Sequence, residues 1–409
     1  MAVPGVASKR VPMLLYAAVG LEALGYGAIF ALLAELQDKY DLPTWGLGLI
    51  GGTSFLAALA AQIGLARYAD RGHTRLLLRA GLAVAALGML WFGIASNLWE
   101  FVGSRLLLGL GSGMFIPAAR RVAVTRAGPH SGEALGRMAS VEVGGFICGP
   151  PLAALIAAGF GLHAPFIVIA AALALTSPAV ARLDEPPVFD KQPKQGLRVL
   201  VRIRGVRAGL AMATALYLSI GVFETIWARY LSDLGASTAV IAVTLAVFAL
   251  PLVALSPFGG RLADRRGPAR IGVVALLCSV PIIALYGVVG SVFAAGALAL
   301  VHCVMDSVTT PSSQSAVARS SPPSLTAAGQ GLYGAVAAAA AAIAAFSAAP
   351  IYDAAGVETM WIVTAVGVGL LTVLAFVWGR GTPVSEPATV DEPEDASPIP
   401  GPEAEPLAG

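Results

Sequence analysis

The segment GRLADRRG occupies residues 260–267, between two long apolar stretches, and its central part is present twice in the chain. RYADR at residues 67–71 matches RLADR at residues 261–265, an offset of 194 residues. Pro117 and Pro311 repeat at the same offset, and Gly136 and Gly329 repeat at an offset of 193. These matches predict that the chain is built from two similar halves in the same order.

The composition is that of a protein whose surface faces lipid. The 409 residues are 57% hydrophobic and only 12% charged, with a mean hydropathy of +0.79. A soluble domain carries about 25% charged residues because its surface must face water. The net charge of +2 is too small to indicate a polyanionic partner. The composition therefore argues against a soluble enzyme and against a nucleic-acid-binding protein.

Twelve segments are long and apolar enough to cross a bilayer, for which a helix needs about 20 mostly apolar residues. They lie near residues 12–34, 45–66, 76–95, 99–119, 134–158, 164–182, 208–230, 237–259, 270–289, 291–315, 327–349 and 359–378. The predicted fold is an all-α polytopic membrane protein of twelve transmembrane helices. Two parallel-repeat six-helix bundles of this kind are typical of transporters.

The predicted organisation has four parts. An N-terminal six-helix bundle spans 1–182, a cytoplasmic linker 183–207, a C-terminal six-helix bundle 208–378 and a disordered cytoplasmic tail 379–409. The linker begins polar and becomes basic and amphipathic, which favours either a helix on the inner leaflet or a solvated connection. The tail is rich in Pro, Glu, Asp and Ala without an apolar period.

The basic residues predict the orientation of the spans. With a cytoplasmic N-terminus, almost all of the 26 Lys and Arg residues fall in inside segments. Lys39 and Arg229 lie outside, and Arg105 lies within a span. This bias is the positive-inside distribution, so we expect a multi-pass protein of the plasma (cytoplasmic) membrane with both termini in the cytoplasm.

Three motifs stand at corresponding places in this array. The 260–267 segment resembles the loop signature GxLaDrxG of the major facilitator superfamily, whereas its first-half copy has Ala66 where a glycine is expected. Span four resembles the RxxxGxG motif of the same family, with Arg105, Gly109 and Gly111. Over the whole span array the chain is thus similar to this superfamily, which implies its two-bundle fold and alternating-access transport.

Span five resembles the antiporter motif of the superfamily's proton-coupled drug exporters. The matching residues are Gly136, Gly145, Gly149 and Pro150. Ala153 and Ala154 replace the motif's last two glycines but keep small side chains. The resemblance implies a tight, kinked helix contact that limits leakage and biases export. Ordinary packing of small residues between helices is the alternative for any one of these glycines.

The loop motif implies a conformational latch. Glycine permits a tight turn, and an aspartate there can cap a helix N-terminus while arginines pair with it. By resemblance, the latch residues are Asp70, Arg71, Gly260, Asp264, Arg265 and Gly267. Positive-inside anchors are the alternative for the two arginines.

Ionisable residues within spans are costly in lipid, by about 2.5 kcal/mol or more at mid-depth, and therefore mark candidate function. The candidates for proton coupling or substrate binding are Glu22, Asp306, Arg105, Glu142, Glu224 and His302. An unpaired Glu22 would hold a proton because lipid disfavours its charge. His302 lies one helical turn before Asp306 and shares its face. For Glu224 and His302, a position beside a wet cavity without a coupling role is the alternative.

The sequence indicates a secondary transporter that needs no cofactor. The three cysteines are far apart in apolar runs, which gives no metal or disulfide pattern, and no ATP-binding motif is present. The expected function is proton-coupled efflux of small amphipathic or cationic compounds, of the multidrug resistance type, by a monomer whose partners are substrate, protons and membrane lipids. An importer or facilitator of a sugar, metabolite or amino acid, and a non-transporting receptor or scramblase, are the alternatives.

Overall fold

The computed structural model describes residues 11–180, 196–236 and 238–380, and this part of the chain is helical without a β-strand. The first half contains α1 (Met13–Tyr40), α2 (Thr44–Tyr68), α3 (Thr74–Ile94), α4 (Leu98–Ala127), α5 (Ser131–Phe160) and α6 (Ala164–Val180). The second half contains α7 (Gly196–Leu200), α8 (Arg204–Asp233), α9 (Thr238–Arg266), α10 (Pro268–Leu285), α11 (Val292–Ser320) and α12 (Thr326–Gly379).

The described residues hold nine apolar stretches long enough to cross a membrane. Two of them, Gly52–Ile94 and Leu98–Phe160, each run through two consecutive long helices, and Ala164–Val180 is a further, shorter apolar helix. A helix satisfies its own backbone hydrogen bonds, which the lipid interior requires. The predicted fold of twelve spans in two bundles is thereby confirmed.

Several helices run past their predicted ends, and α4 does so by the largest margin. Helix α4 continues to Ala127, eight residues past the predicted end at 119, because arginine is a good helix former and Arg120 and Arg121 are buried there. Helix α12 contains both the eleventh and the twelfth span, which are separated by a break at Gly356, where φ is +82°. Residues 181–195 and 381–409 lie outside the described part, so the tail and the polar start of the linker stay predictions. The described end of the linker contains the short helix α7, and α8 already begins at Arg204.

Each half has its own hydrophobic core. In the first, the ring of Phe92 packs edge-on against Phe101 and Phe166 with centroids 4.9 Å apart. In the second, Tyr286 lies 4.7 Å from Trp361 in a cluster of buried aromatic residues. Large apolar side chains also cover the outside of both bundles, which is the expected surface for contact with lipid chains.

The halves meet through two related pairs of helices. Helix α5 packs against α9 and α11, and α12 packs against α2 and α4. Backbones touch at these crossings: a Cβ on Gly136 would collide with the carbonyl of Ser256, and one on Gly331 would lie 2.7 Å from that of Gln62. Small residues are needed where helix backbones approach this closely. We call the end of the bundle that holds residues 67–73 and 261–267 the motif end.

Candidate functional site

Asp70 joins the two halves at the motif end. It lies in the short π-helical turn between α2 and α3, and its carboxylate is fully buried. The backbone amides of Ala327 and Ala328, in the first turn of α12, each donate a hydrogen bond of 2.9 Å to it. Amides of a first helical turn have no acceptor within their helix, so a carboxylate completes them. Arg121 of α4 donates from Nε at 2.9 Å and neutralises the charge.

Asp264 makes the equivalent contact from the second half. Near the end of α9, its carboxylate accepts hydrogen bonds of 2.9 Å from the amides of Gly132 and Glu133, in the first turn of α5. Arg319 of α11 donates to it at 2.6 Å. Arg261 lies 3.3 Å from the Glu133 carboxylate and adds a further ion pair across the same contact. Two repeated carboxylates thus hold one half against the other.

The remaining latch residues have local roles. Gly267 adopts a φ of +90° at the start of α10, a conformation that favours glycine. A Cβ on Gly260 would collide with the carbonyl of Gly132, so this glycine allows α9 to reach α5. Arg71 lies over the ring of Tyr68 at 5.5 Å, and the Arg265 side chain is exposed.

At the opposite end, the described polar contacts stay within one half. Tyr352 of α12 donates a 2.6 Å hydrogen bond to Asp233 of α8, which holds the pKa of that carboxyl below its usual range. His163 lies 2.8 Å from the hydroxyl of Tyr40 in the first half. Among the described residues, no ion pair joins the two halves at this end.

Glu22 is a buried carboxylate inside the first half. It lies on α1 with 5% of its surface exposed, and its Oε1 has no hydrogen-bond partner among the described residues. The neighbouring polar groups are Ser112 on α4 and the pair Arg120 and Glu142, whose closest atoms are 3.5 Å apart. A carboxylate here needs a proton or a cation, since burying an unpaired charge is costly.

Arg105 lies in the same region, farther from the motif end. Its guanidinium is fully buried on α4, and its Nε donates to the carbonyl of Ile50 at 2.9 Å. The rings of Tyr26 and Phe30 on α1 lie 5.0 Å and 5.6 Å from its carbon Cζ. Cation–π contacts of this kind hold a desolvated guanidinium in place.

The antiporter-motif glycines fit α5 against α1 around Glu22. A Cβ on Gly145 would collide with the carbonyl of Gly20, and one on Gly149 would lie 2.5 Å from that of Leu24. Pro150 is inside α5, where it removes a backbone donor. Gly136 instead faces α9 in the other half, so the motif serves two contacts.

The second half holds a buried pair of its own. His302 and Asp306 lie on one face of α11 with Nε2 3.7 Å from Oδ1. Ser219 and Tyr286 place their hydroxyls 3.4 Å from the two imidazole nitrogens. Both side chains are buried, and this arrangement can store or pass a proton. The Glu224 side chain lies outside the described part.

Sequence reasoning missed Arg120, Arg121, Arg319 and Tyr333. The positive-inside distribution predicts that these three arginines are inside basic residues near the ends of spans. The structure buries Arg120 and Arg121 within α4. A signal was present, because two adjacent arginines follow Pro117 without a turn residue between them and Gly128.

Two repeated bundles that bury charged side chains and meet at one end through helix N-termini define a membrane transporter rather than an enzyme. The chain belongs to the Major Facilitator Superfamily, whose sequence profile matches residues 15–228 and 209–406. The family resemblance of the motifs is therefore confirmed.

Similar proteins add detail. Multidrug resistance protein MdtG from Enterobacter lignolyticus is 32% identical over 276 residues, which cover 62% of this chain and 65% of that protein. The MdtG of Salmonella paratyphi A is 33% identical and is covered to 68% of its length. The alignment thus spans about two thirds of these relatives.

Solved structures share the fold. The Major Facilitator Superfamily transporter FucP in its outward conformation superposes with a TM-score of 0.75 at 18% identity, over 90% of this chain and 98% of FucP. The human organic anion transporter MFSD10 gives 0.70 at 18% identity, over 89% and 98%. At this identity, the likeness concerns the fold alone.

Proposed function

We propose that this protein exports small amphipathic or cationic compounds across the cytoplasmic membrane in exchange for protons, and that it works as a monomer with both termini inside. The arginine-rich motif end is then cytoplasmic, following the positive-inside rule. The name of the MdtG relatives supports a drug-like substrate class.

The observation that carries the proposal is the state of Glu22. A carboxylate that is 5% exposed and has an oxygen without a described hydrogen-bond partner is stable only when protonated or when a cation takes its charge. Proton and cationic substrate thus compete for one group. Such competition is what exchange requires, because the binding of one ligand must release the other.

Alternating access determines the direction in which the substrate moves. With Asp70 and Asp264 both engaged, the cytoplasmic end is closed, and a proton arriving from outside can reach Glu22 and release the substrate. When the latches open, Glu22 loses its proton to the cytoplasm and accepts a new cation. His302 and Asp306 offer a second proton position in the other half.

Everted membrane vesicles with an acidified lumen and a pH-sensitive dye test this exchange. Addition of tetraphenylphosphonium to vesicles with the wild-type protein should release protons, and Glu22→Gln should abolish the response. Glu358→Gln changes an exposed carboxylate and serves as the matched control. Transport without proton release would favour a facilitator, and an unchanged response in Glu22→Gln would remove the site assignment.

A further inference from the structure

Arg120 lies where the two halves meet beneath the Glu22 region. Its guanidinium comes from α4 of the first half and is 6% exposed. Its Nη2 is 3.5 Å from Oε2 of Glu142 on α5, and its Nε has no hydrogen-bond partner among the described residues. An ion pair of this length, without a hydrogen bond at Nε, leaves the buried guanidinium able to change partners.

Tyr333 contacts Arg120 from the second half. It belongs to α12 of the second half, is fully buried, and has its ring centroid 5.8 Å from Cζ of Arg120. Its hydroxyl is fixed by a 3.0 Å hydrogen bond with Ser313. Because the ring and the guanidinium belong to different halves, this contact exists only while the cytoplasmic end is closed.

Glu142 has a different environment from Glu22. Its side chain is 39% exposed, although it lies within the spanning helix α5. A carboxylate at this depth is tolerated where it faces water rather than lipid. Glu142 is therefore the acidic group that a dissolved cation can reach first.

We propose that Arg120 is a built-in competitor of the cationic substrate. This inference rests on the proposed function. When the cytoplasmic end closes, Tyr333 covers Arg120 and holds its charge beside Glu142, so a bound organic cation is displaced toward the outside. When the end opens, Tyr333 withdraws, Arg120 turns to cytoplasmic water, and Glu142 is free to bind the next cation. An internal cation thus helps to eject the substrate in addition to the proton.

Binding of tetraphenylphosphonium to purified protein locked with the cytoplasmic end closed tests this role. A short bifunctional thiol reagent that cross-links Glu133→Cys to Arg261→Cys, positions whose native side chains meet at 3.3 Å, provides the lock in a background without the three native cysteines. We expect Arg120→Gln to bind the probe at least about tenfold more tightly than the locked parent, since the competing charge is gone. Arg120→Lys keeps the charge and should bind like the parent.

Two comparisons separate competition from a structural effect. Glu142→Gln combined with Arg120→Gln should lose the gain in affinity. Tyr333→Leu should tighten binding, whereas Tyr333→Phe, which keeps the ring, should not. Equal or weaker binding in both Arg120→Gln and Tyr333→Leu overturns the proposal. If the wild type shows tetraphenylphosphonium–proton exchange in vesicles while these variants bind no more tightly, only the Arg120 role fails.

Discussion

Asp70 in the first half accepts a hydrogen bond of 2.9 Å from the amide of Ala327 in the second half. The same contact is built again from Asp264 to the first turn of α5. Both lie at the motif end, and both combine a helix N-terminus with an arginine, which is buried at Asp70 and partly exposed at Asp264. The two repeated halves thus carry equivalent carboxylate contacts at the motif end, on either side of the interface between the bundles.

Loss of either carboxylate should open this end. Asp70→Asn removes the charge that pairs with Arg121. It also places the NH2 of the new side chain against one of the two backbone N–H donors, which loses its acceptor at a cost of about 1–3 kcal/mol. We expect the ratio of closed to open protein to fall by about tenfold. The measure is maleimide labelling of Ala66→Cys, a buried position at the contact of α2 with α12, in a background without native cysteines.

The two latches should differ in strength. Asp70 and Arg121 are almost fully buried, whereas the Arg319 side chain is 16% exposed. Solvent screening weakens an exposed pair. Asp264→Asn should therefore increase the maleimide labelling of a cysteine placed at the contact of α9 with α5 less than Asp70→Asn increases the labelling of Ala66→Cys. Asp233→Asn at the opposite end is the control and should leave labelling unchanged; equal labelling in all three variants contradicts the latch interpretation.

Packing of α5 against α1 should tolerate no side chain at Gly145. Gly145→Ala places a methyl group against the carbonyl of Gly20, so the helices must separate, at a cost of about 1–3 kcal/mol. A lower melting temperature in detergent and loss of drug resistance are expected. Gly159→Ala is the matched control in the same helix, because its Cβ would meet no atom within 4 Å. Equal stability of the two variants would show that the motif glycine is not a packing requirement.

Much of the fold follows from local physics and could therefore be predicted. Twelve apolar segments, the repeated RxADR segment and the positive-inside bias are properties of short stretches of chain. The i, i+4 spacing likewise brought His302 and Asp306 together on one helix face.

The candidate site depended on contacts between distant residues, and sequence reasoning reached it only in part. Arg121 and Asp70 are 51 positions apart, and Arg319 and Asp264 are 55 apart. The absence of a turn residue before Gly128 indicates that Arg121 lies within a helix, but nothing in the local pattern names Asp70 as its partner. In the sequence, Tyr333 looks like any other residue of an apolar helix. Its contact with Arg120 arises only because α12 packs against α4.

The buried pair on α11 should couple transport to protons. Asp306→Asn keeps the size of the side chain but removes the carboxylate that pairs with His302. We expect at least about a tenfold loss of resistance to a lipophilic cation, because an intramembrane ionisable group is lost. Drug susceptibility of cells that express each variant is the measurement. Cys303→Ala, a neighbouring position on the same helix, is the control. Normal resistance in Asp306→Asn would assign this pair to packing alone.

The break in α12 should require glycine. Gly356 has a φ of +82° and a ψ of 169°, which a residue with a Cβ adopts at a cost of about 1–3 kcal/mol, and a Cβ there would touch nothing within 4 Å. Gly356→Ala should therefore lower thermal stability through backbone strain rather than through a clash. Gly290→Ala, also without a neighbour within 4 Å but without a positive φ, should be neutral or slightly stabilising. If both variants have the same melting temperature as the parent, the turn between the last two spans adopts another backbone conformation. If only Gly356→Ala has a lower melting temperature, the break separates two spanning helices as described.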